Sequence, residues 1–237
     1  MKVTALLTGR GNNTLKDKNV LDILGRPVLY YPAVAAKNAK TISAWYVSSD
    51  DEKILNAAGS VGFLPIVRPL ELALPTSQHI DCILHALERM KQNDDVPDIL
   101  VVILANNVTV KSKWIDDCVT KLIENPEASS VIPVYEDNDH HPLRAKTLSA
   151  EGTLLMYEKN VEGKISTNRQ DLPLCLFPAH NFWVLRVSQI NAPNGQPPWS
   201  FMGEHILPYQ IHESIDIHEE IDLYLAKQWI IKNWEEE

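Results

Sequence analysis

The chain has 237 residues, of which 45% are hydrophobic and 22% charged, so it can bury a sizeable core as one large α/β domain or a main domain with a small appendage. Its formal net charge of −9 argues against a general nucleic-acid or acidic-membrane binder. The three cysteines, Cys82, Cys118 and Cys175, are far apart and show no C-x-x-C spacing, which suits a reducing compartment. Met1–Leu7 is too short an apolar stretch for a signal peptide, and no run approaches the roughly 18 apolar residues of a membrane span. The expectation is a cytoplasmic protein without membrane contact.

In chain order, Val3-Thr4-Ala5-Leu6-Leu7 reads as a buried strand that breaks at Gly9-Arg10-Gly11-Asn12-Asn13. Glycine lets backbone amides turn toward a ligand, and successive amides can form an anion-binding nest. Arg10, Lys16 and Lys18 add cations, so the loop suits phosphates. It is neither a Gly-x-x-x-x-Gly-Lys-Ser/Thr loop nor a Gly-x-Gly-x-x-Gly fingerprint, and a plain tight turn has the same composition. The turn Gly25-Arg26-Pro27 leads to a helix from Val28 to Asn38. Ala44–Val47 is a strand, and the capping-box spacing of Ser49-Asp50-Asp51-Glu52 starts a helix to about Val61. Leu64–Val67 is the next strand. Thr76 or Ser77 caps a helix in which Ile80, Ile83, Leu84 and Leu87 recur at helical spacing to about Lys91. Ile99–Leu104 is a continuous apolar run of the parallel, doubly covered type. Ser112 caps a helix to about Glu124, and Val131–Tyr135 is a fifth strand. This alternation predicts an α/β fold, a Rossmann-like mostly parallel sheet with helices on both faces.

The rhythm stops after Pro133. From Glu136 to about Gln170 there are only short alternating pieces such as Thr153–Tyr157, which predict a small β-rich insertion and an oligomer contact. Phe182–Leu185 returns to strand character, Ala192–Trp199 is a loop by composition, and a helix runs from about Glu219 to Trp234.

Several stretches, taken together, resemble the CMP-sugar-acid synthetases, cytidylyltransferases that activate sialic, legionaminic and Kdo-type acids. Gly9-Arg10-Gly11-Asn12-Asn13 through Lys18-Asn19 is similar to the family's A-R-x-x-S-K-G-x-x-x-K-N loop, one residue shorter. Ser48-Ser49-Asp50-Asp51-Glu52-Lys53-Ile54 resembles S-T-D-D-x-x-I, and Arg68-Pro69-Leu70-Glu71-Leu72-Ala73 resembles R-P-x-E-L-A. His140-His141-Pro142-Leu143 is similar to H-H-P-x, Arg169-Gln170-Asp171-Leu172-Pro173 to R-Q-x-L-P, and Ser214-Ile215-Asp216-Ile217 to S-I-D-I-D. The order holds over nearly the whole length, so one nucleotidyltransferase domain over residues 1–237 is implied, with 136–175 as the dimerisation insertion of a homodimer.

The resemblance implies attack by the anomeric hydroxyl of a sugar acid on the α-phosphate of CTP, with release of pyrophosphate. It places Arg10, Lys18 and Asp216 in the chemistry. The nucleotide would lie against Gly9, Gly11, Asn12, Asn13, Lys16, Asn19, Arg68 and Asn106. Arg144, Arg169 and Gln170 would meet the acid, a guanidinium pairing bidentately with a carboxylate. Mg²⁺ would sit at Asp216 with His218 beside it. The departures are specific. Asn13-Thr14 replaces the loop's serine-lysine, and Leu104-Ala105-Asn106-Asn107-Val108-Thr109-Val110 stands where Q-P-T-S-P-L-R is expected. Ala179-His180-Asn181-Phe182-Trp183 replaces N-G-A-I-Y, and His218 replaces the second aspartate, although imidazole suits Mg²⁺ poorly. They leave open a homologue that binds without turnover, or a different acid acceptor.

Plainer readings stand beside these. Arg68-Pro69 also fits a surface turn, and Asp50-Asp51 fits helix N-capping better than a metal-binding pair. His140-His141 reads as a solvated loop pair. His205, His212 and His218 follow no ligand spacing, and Trp229 and Trp234 read as packing of the last helix.

Overall fold

The computed structural model describes residues 1–11, 13–161 and 163–234. Strands β1 (Val3–Thr8) and β6 (Ile99–Leu104) are buried at every position, which explains their unbroken apolar runs: both faces of each strand are covered. Alternate residues feed two cores. Ala5, Leu7, Val101 and Ile103 point to the side covered by α1 (Tyr30–Asn38), α2 (Glu52–Ser60) and α4 (Ser112–Glu124). Leu6, Leu100, Val102 and Leu104 point to the side covered by α3 (His79–Gln92). A third cluster packs α5 (Glu220–Asn233), through Ala226, Trp229 and Ile230, against Val28 and Tyr31. Trp234 closes it with its ring 5.0 Å from that of Tyr31.

The remaining strands are the hairpin β2 (Asp22–Ile23) and β3 (Arg26–Pro27), β4 (Ala44–Ser49), β5 (Leu64–Val67), β7 (Ser130–Glu136), the hairpin β8 (Lys146–Leu148) and β9 (Leu154–Met156), then β10 (Leu176–Pro178), β11 (Phe182–Arg186) and β12 (Ile206–Gln210). In the main sheet β1 pairs in parallel with β4 and β6, β4 with β5, and β7 with β12. β11 runs antiparallel between β6 and β7, so β6 and β7 share a direction and the sheet is mixed but mostly parallel. β10 continues the line of β11 along β7. Pro178 pairs with Val134 and Val184 with Val131, so six steps on one strand face three on the other. The excess is taken up at Ala179–Asn181, a bulge that breaks the strand.

Several boundaries differ from expectation for local reasons. Asp51, not Ser49, caps α2: its side chain accepts from the Lys53 amide at 2.7 Å, while Ser49 Oγ holds the Asp51 amide. Gln78 rather than Thr76 or Ser77 precedes α3, where Asp81 accepts from the Gln78 amide at 3.1 Å. Lys111 occupies the cap position of α4, and Ser112 is the first helical residue. His141 is not a solvated loop residue. It is buried, its Nδ1 accepts from the Leu143 amide at 3.1 Å, and its Nε2 lies 3.0 Å from the Pro173 carbonyl. His140 does lie in solvent, against Asp137. The 136–175 stretch supplies the β8–β9 hairpin, which leaves Leu148, Leu154 and Tyr157 exposed. No helix among the described residues is long and apolar enough to cross a membrane.

The central strand β6 carries the packing of both layers. Truncating Leu100, which is fully buried, to alanine is expected to cost about 2–5 kcal/mol. Leu148→Ser on the exposed hairpin is expected to change monomer stability by less than about 0.5 kcal/mol. Urea denaturation of the two variants checks the contrast.

Candidate active site

β1 crosses over to β4 on one side and is flanked by β6 on the other, so the strand order reverses beyond the carboxyl ends of β1 and β6. A crevice is expected there in open α/β sheets. The structure has one, a cleft of about 350 Å³ lined by Thr8, Gly9 and Arg10 after β1, Leu104 and Asn106 after β6, and the start of α3. Asn13, Lys18, Asn19, Arg68 and His218 complete its wall. Sequence positions as far apart as Thr8 and His218 therefore converge on a single opening.

The loop after β1 is held by its own carbonyl. Asn13 and Asn19 both donate side-chain amides to the Arg10 carbonyl, at 2.5 and 3.0 Å. The Arg10 guanidinium donates to the Leu74 carbonyl at 2.9 Å, tying the loop to the far rim. Gly11 has no room for a side chain: a Cβ there would lie 2.6 Å from Asp51 Oδ2. Its amide donates to Asp50 at 3.1 Å, so a carboxylate engages the loop's donor. Lys16 is exposed and lies outside the cleft lining, and Asn12 lies outside the described residues.

Lys18 is buried and donates to the Ile217 carbonyl at 2.8 Å. Burial pushes its pKa below the ordinary lysine value, with the charges of Asp216 and Asp222 opposing. Asp216 is the mirror case. Burial raises its pKa above the usual carboxylate value, opposed by His218 and Lys18. Its carboxylate accepts from the Asn106 amide and faces His218 Nε2 at 3.0 Å. Each charge is thus uncomfortable in the protein alone, and each is compensated in part by the other.

Arg68 is buried and donates from Nε to Ser48 Oγ at 3.1 Å and from Nη2 to the Ser48 carbonyl at 2.7 Å. Beside it, His79 opens α3, and its Nε2 lies 3.1 Å from Thr8 Oγ1. The residue is only partly enclosed as a whole, yet burial of its ring, then the charges of Arg68 and His180, push its pKa down to about 4. His180 sits in the β10–β11 break, with its ring 5.2 Å from that of Trp199. Burial lowers its pKa, and the nearby Asp216 opposes the shift. Thr8, His79 and His180 were not singled out from sequence; a histidine at a helix start shortly after the Arg68 motif was the available signal for His79.

Arg144, Arg169 and Gln170 are not brought to this cleft. Arg169 and Gln170 line a separate depression with Glu136–Asp139, and both arginines pair with Asp139, at 3.4 Å for Arg144 and 2.9 Å for Arg169. Among the described residues no group of three or more His, Cys, Asp and Glu side chains is arranged to hold a metal ion. The donors that fit a hard divalent ion reduce to Asp216, a partly buried carboxylate that lacks full compensation. Such an ion needs one or two carboxylates and completes its shell with water and substrate phosphates.

A family model described as Cytidylyltransferase matches residues 10–173. The pseudaminic acid cytidylyltransferase of Campylobacter jejuni serotype O:23/36 is 23% identical over 185 residues, 77% of this chain and 78% of that protein. A Helicobacter pylori protein, pseudaminic acid cytidylyltransferase and UDP-2,4-diacetamido-2,4,6-trideoxy-beta-L-altropyranose hydrolase, is 25% identical over 55% of this chain. The match spans only a quarter of that longer protein. Among solved structures, a CMP:2-keto-3-deoxy-manno-octonic acid synthetase complexed with CTP superposes with a TM-score of 0.70 at 14% identity, covering 98% of this chain and 99% of that one. A 4-diphosphocytidyl-2C-methyl-D-erythritol synthase from Anaerococcus prevotii gives 0.65 at 12%, covering 97% and 96%.

The buried neutral His79 sets a pH dependence. Its folded pKa of about 4 lies below the ordinary 6.5, so the unfolded chain binds the extra proton between these values. Stability is expected to be full above pH 6.5 and to fall as pH drops toward 4. His79→Gln should flatten that part of the profile, as read by urea midpoints at pH 4.5, 5.5 and 7.

Proposed function

Because the chain belongs to the cytidylyltransferase family, we propose that it transfers CMP from CTP to the anomeric hydroxyl of a nonulosonic or related sugar acid. The observation that carries this reading is the convergence of Arg10, Lys18, Arg68 and Asn106 on the crevice beyond β1 and β6, with Asp216 bonded behind the lining residues Asn106 and His218. Transfer of this kind rests on positioning and on neutralising charge. The acceptor hydroxyl gives up its proton to solvent as its oxygen bonds to the α-phosphorus, the bond from that phosphorus to the α–β bridging oxygen breaks, and pyrophosphate leaves.

Arg10 and Lys18 hold the triphosphate, and the anion compensates the buried ammonium that Asp216 compensates only in part. The loop amide of Gly11 becomes a donor to phosphate when it exchanges Asp50 for the ligand. Gly9, Asn13 and Asn19 shape the turn around the phosphates, and Asn12 and Lys16 belong to the same loop. Arg68 and Asn106 face the nucleoside. Asp216, with His218 beside it, is the position for Mg²⁺, which when bound would spread the charge developing on the phosphate oxygens. The acceptor carboxylate is assigned to Arg169 and Gln170, with Arg144 nearby. Since these lie in a separate depression, a second copy that brings its own insertion to the cleft would complete the site. The exposed Leu148, Leu154 and Tyr157 of the 136–175 insertion supply an apolar contact for such a homodimer. The reading includes a cytoplasmic location, where CTP is available.

The test is pyrophosphate release from CTP and Mg²⁺ over a panel of pseudaminic, legionaminic, sialic and Kdo-type acids. Release with at least one acid is expected, and silence across the panel overturns the proposal. Lys18→Ala should lower kcat/KM by roughly 100-fold or more. Asp216→Asn should abolish turnover without loss of stability at pH 7. A carboxyl whose folded pKa is raised lends stability only at low pH, and that contribution is gone once the group ionises. Light scattering should give twice the chain mass, and Leu148→Ser combined with Leu154→Ser should return it to one chain.

A further inference from the structure

The cleft contains a hydrogen-bond pattern more specific than its charge. Thr8 Oγ1 lies 3.2 Å from the Ile103 carbonyl, and a carbonyl can only accept, so the one hydroxyl proton of Thr8 is committed there. Thr8 Oγ1 must then accept from His79 Nε2, 3.1 Å away, which fixes the Nε2–H tautomer. A neutral imidazole with its proton on Nε2 has a bare lone pair on Nδ1. That nitrogen makes no hydrogen bond among the described residues, and it belongs to a ring that lines the cleft. The depressed pKa of the ring keeps this lone pair free of a proton at neutral pH.

Arg68 supplies the opposite pattern. Two of its five N–H donors go to Ser48, through Nε and Nη2, and Nη1 makes no hydrogen bond among the described residues. Its guanidinium is close enough to His79 for its charge to act on the ring. The wall of the cleft therefore presents a fixed acceptor next to spare donors, with both side chains locked from behind by Thr8 and Ser48.

We propose that His79 is a specificity residue that selects an amino-bearing pyrimidine, with Nδ1 accepting from the exocyclic 4-amino group while Arg68 donates to the ring's acceptor edge. The assignment rests on the CTP-dependent reading above and adds to it how the base is chosen. Cytosine offers a donor at position 4 beside acceptors at N3 and O2, which complements this wall. Uracil puts an oxygen at position 4, and two lone pairs then face each other. It also turns N3 into a donor toward Arg68. Thr8 contacts no base and acts as a positioning residue, holding the tautomer that makes Nδ1 an acceptor.

The experiment is a cycle in protein and ligand together, read by calorimetry with CTP, UTP and the triphosphate of pyrimidin-2-one riboside, which lacks the 4-amino group. Wild type should bind CTP at least about tenfold more tightly than either analogue. His79→Phe should lose most of that preference by weakening CTP alone, and Thr8→Val should lose part of it. A purely structural role would weaken all three nucleotides in parallel and leave the ratios intact, which overturns the proposal. Equal binding of CTP and the 4-deoxy analogue by wild type also overturns it, without any variant having to fold. Absence of CTP binding by wild type overturns the functional reading and this one together. CTP binding with discrimination undiminished in His79→Phe overturns this one alone.

Discussion

The structure depends on one closure: the buried ammonium of Lys18 against the Ile217 carbonyl, 199 residues further along the chain. It ties the loop after β1 to the segment that precedes α5, and Asn106 bonds to Asp216 beside it. Asn107 extends the closure, donating to the carbonyl of His180 and to Ser214 Oγ, each at 2.9 Å. Three remote stretches are thus pinned around one opening. The two sheet cores hold the strands, but this polar clasp sets the distance between the loop cations and the Asp216 carboxylate.

The clasp has an electrostatic cost. Lys18 has its pKa lowered by burial and Asp216 has its pKa raised by the same cause, so neither ion is fully compensated by the other. A buried pair of this kind contributes little net stability, because desolvation offsets the attraction. What it supplies is preorganisation. The Lys18 ammonium is held in place by the Ile217 carbonyl, and the Asp216 carboxylate by Asn106 and His218. Arg68 follows the same logic, since Ser48 fixes its guanidinium from behind while its remaining donors stay available.

The elements that were legible in the sequence are those whose pattern is local. β1, β6 and α3 announced themselves through unbroken or periodic apolar residues, because two-sided burial and one-sided burial leave different traces. β12 was missed because Pro208 breaks the strand signal. The proline is tolerated since β12 is at the sheet edge, paired only with β7. β10 was missed because it has three residues and ends in Pro178. The helix starts were misplaced by a residue or two because serine and threonine were favoured over Asp51 and Gln78, whose bonds decide the matter. At the cleft, Gly9, Arg10, Lys18 and Arg68 are residues whose motif context and position in the fold coincide. Thr8, His79 and His180 take their places from the sheet, which no local pattern announces: one ends a strand, one opens a helix aimed at that end, one stands in a strand break. Arg169 shows the converse, a residue with motif context that the fold of a single chain leaves outside the cleft.

The break at Ala179–Asn181 has a wider consequence. Two pieces of one line of chain keep separate registers along β7, and the segment between them is anchored at both ends: the Ala179 amide donates to the Pro133 carbonyl at 2.8 Å, and the Asn181 carbonyl accepts from the Leu104 amide at 2.9 Å. The extra length is therefore confined between two anchored points, as an expansion joint sits between two rigid spans. His180 stands on the joint and its carbonyl accepts from Asn107, which also holds Ser214, so a change of length there would be felt in the clasp beside the cleft. Such a change would reach the clasp before it reached the ladders on either side.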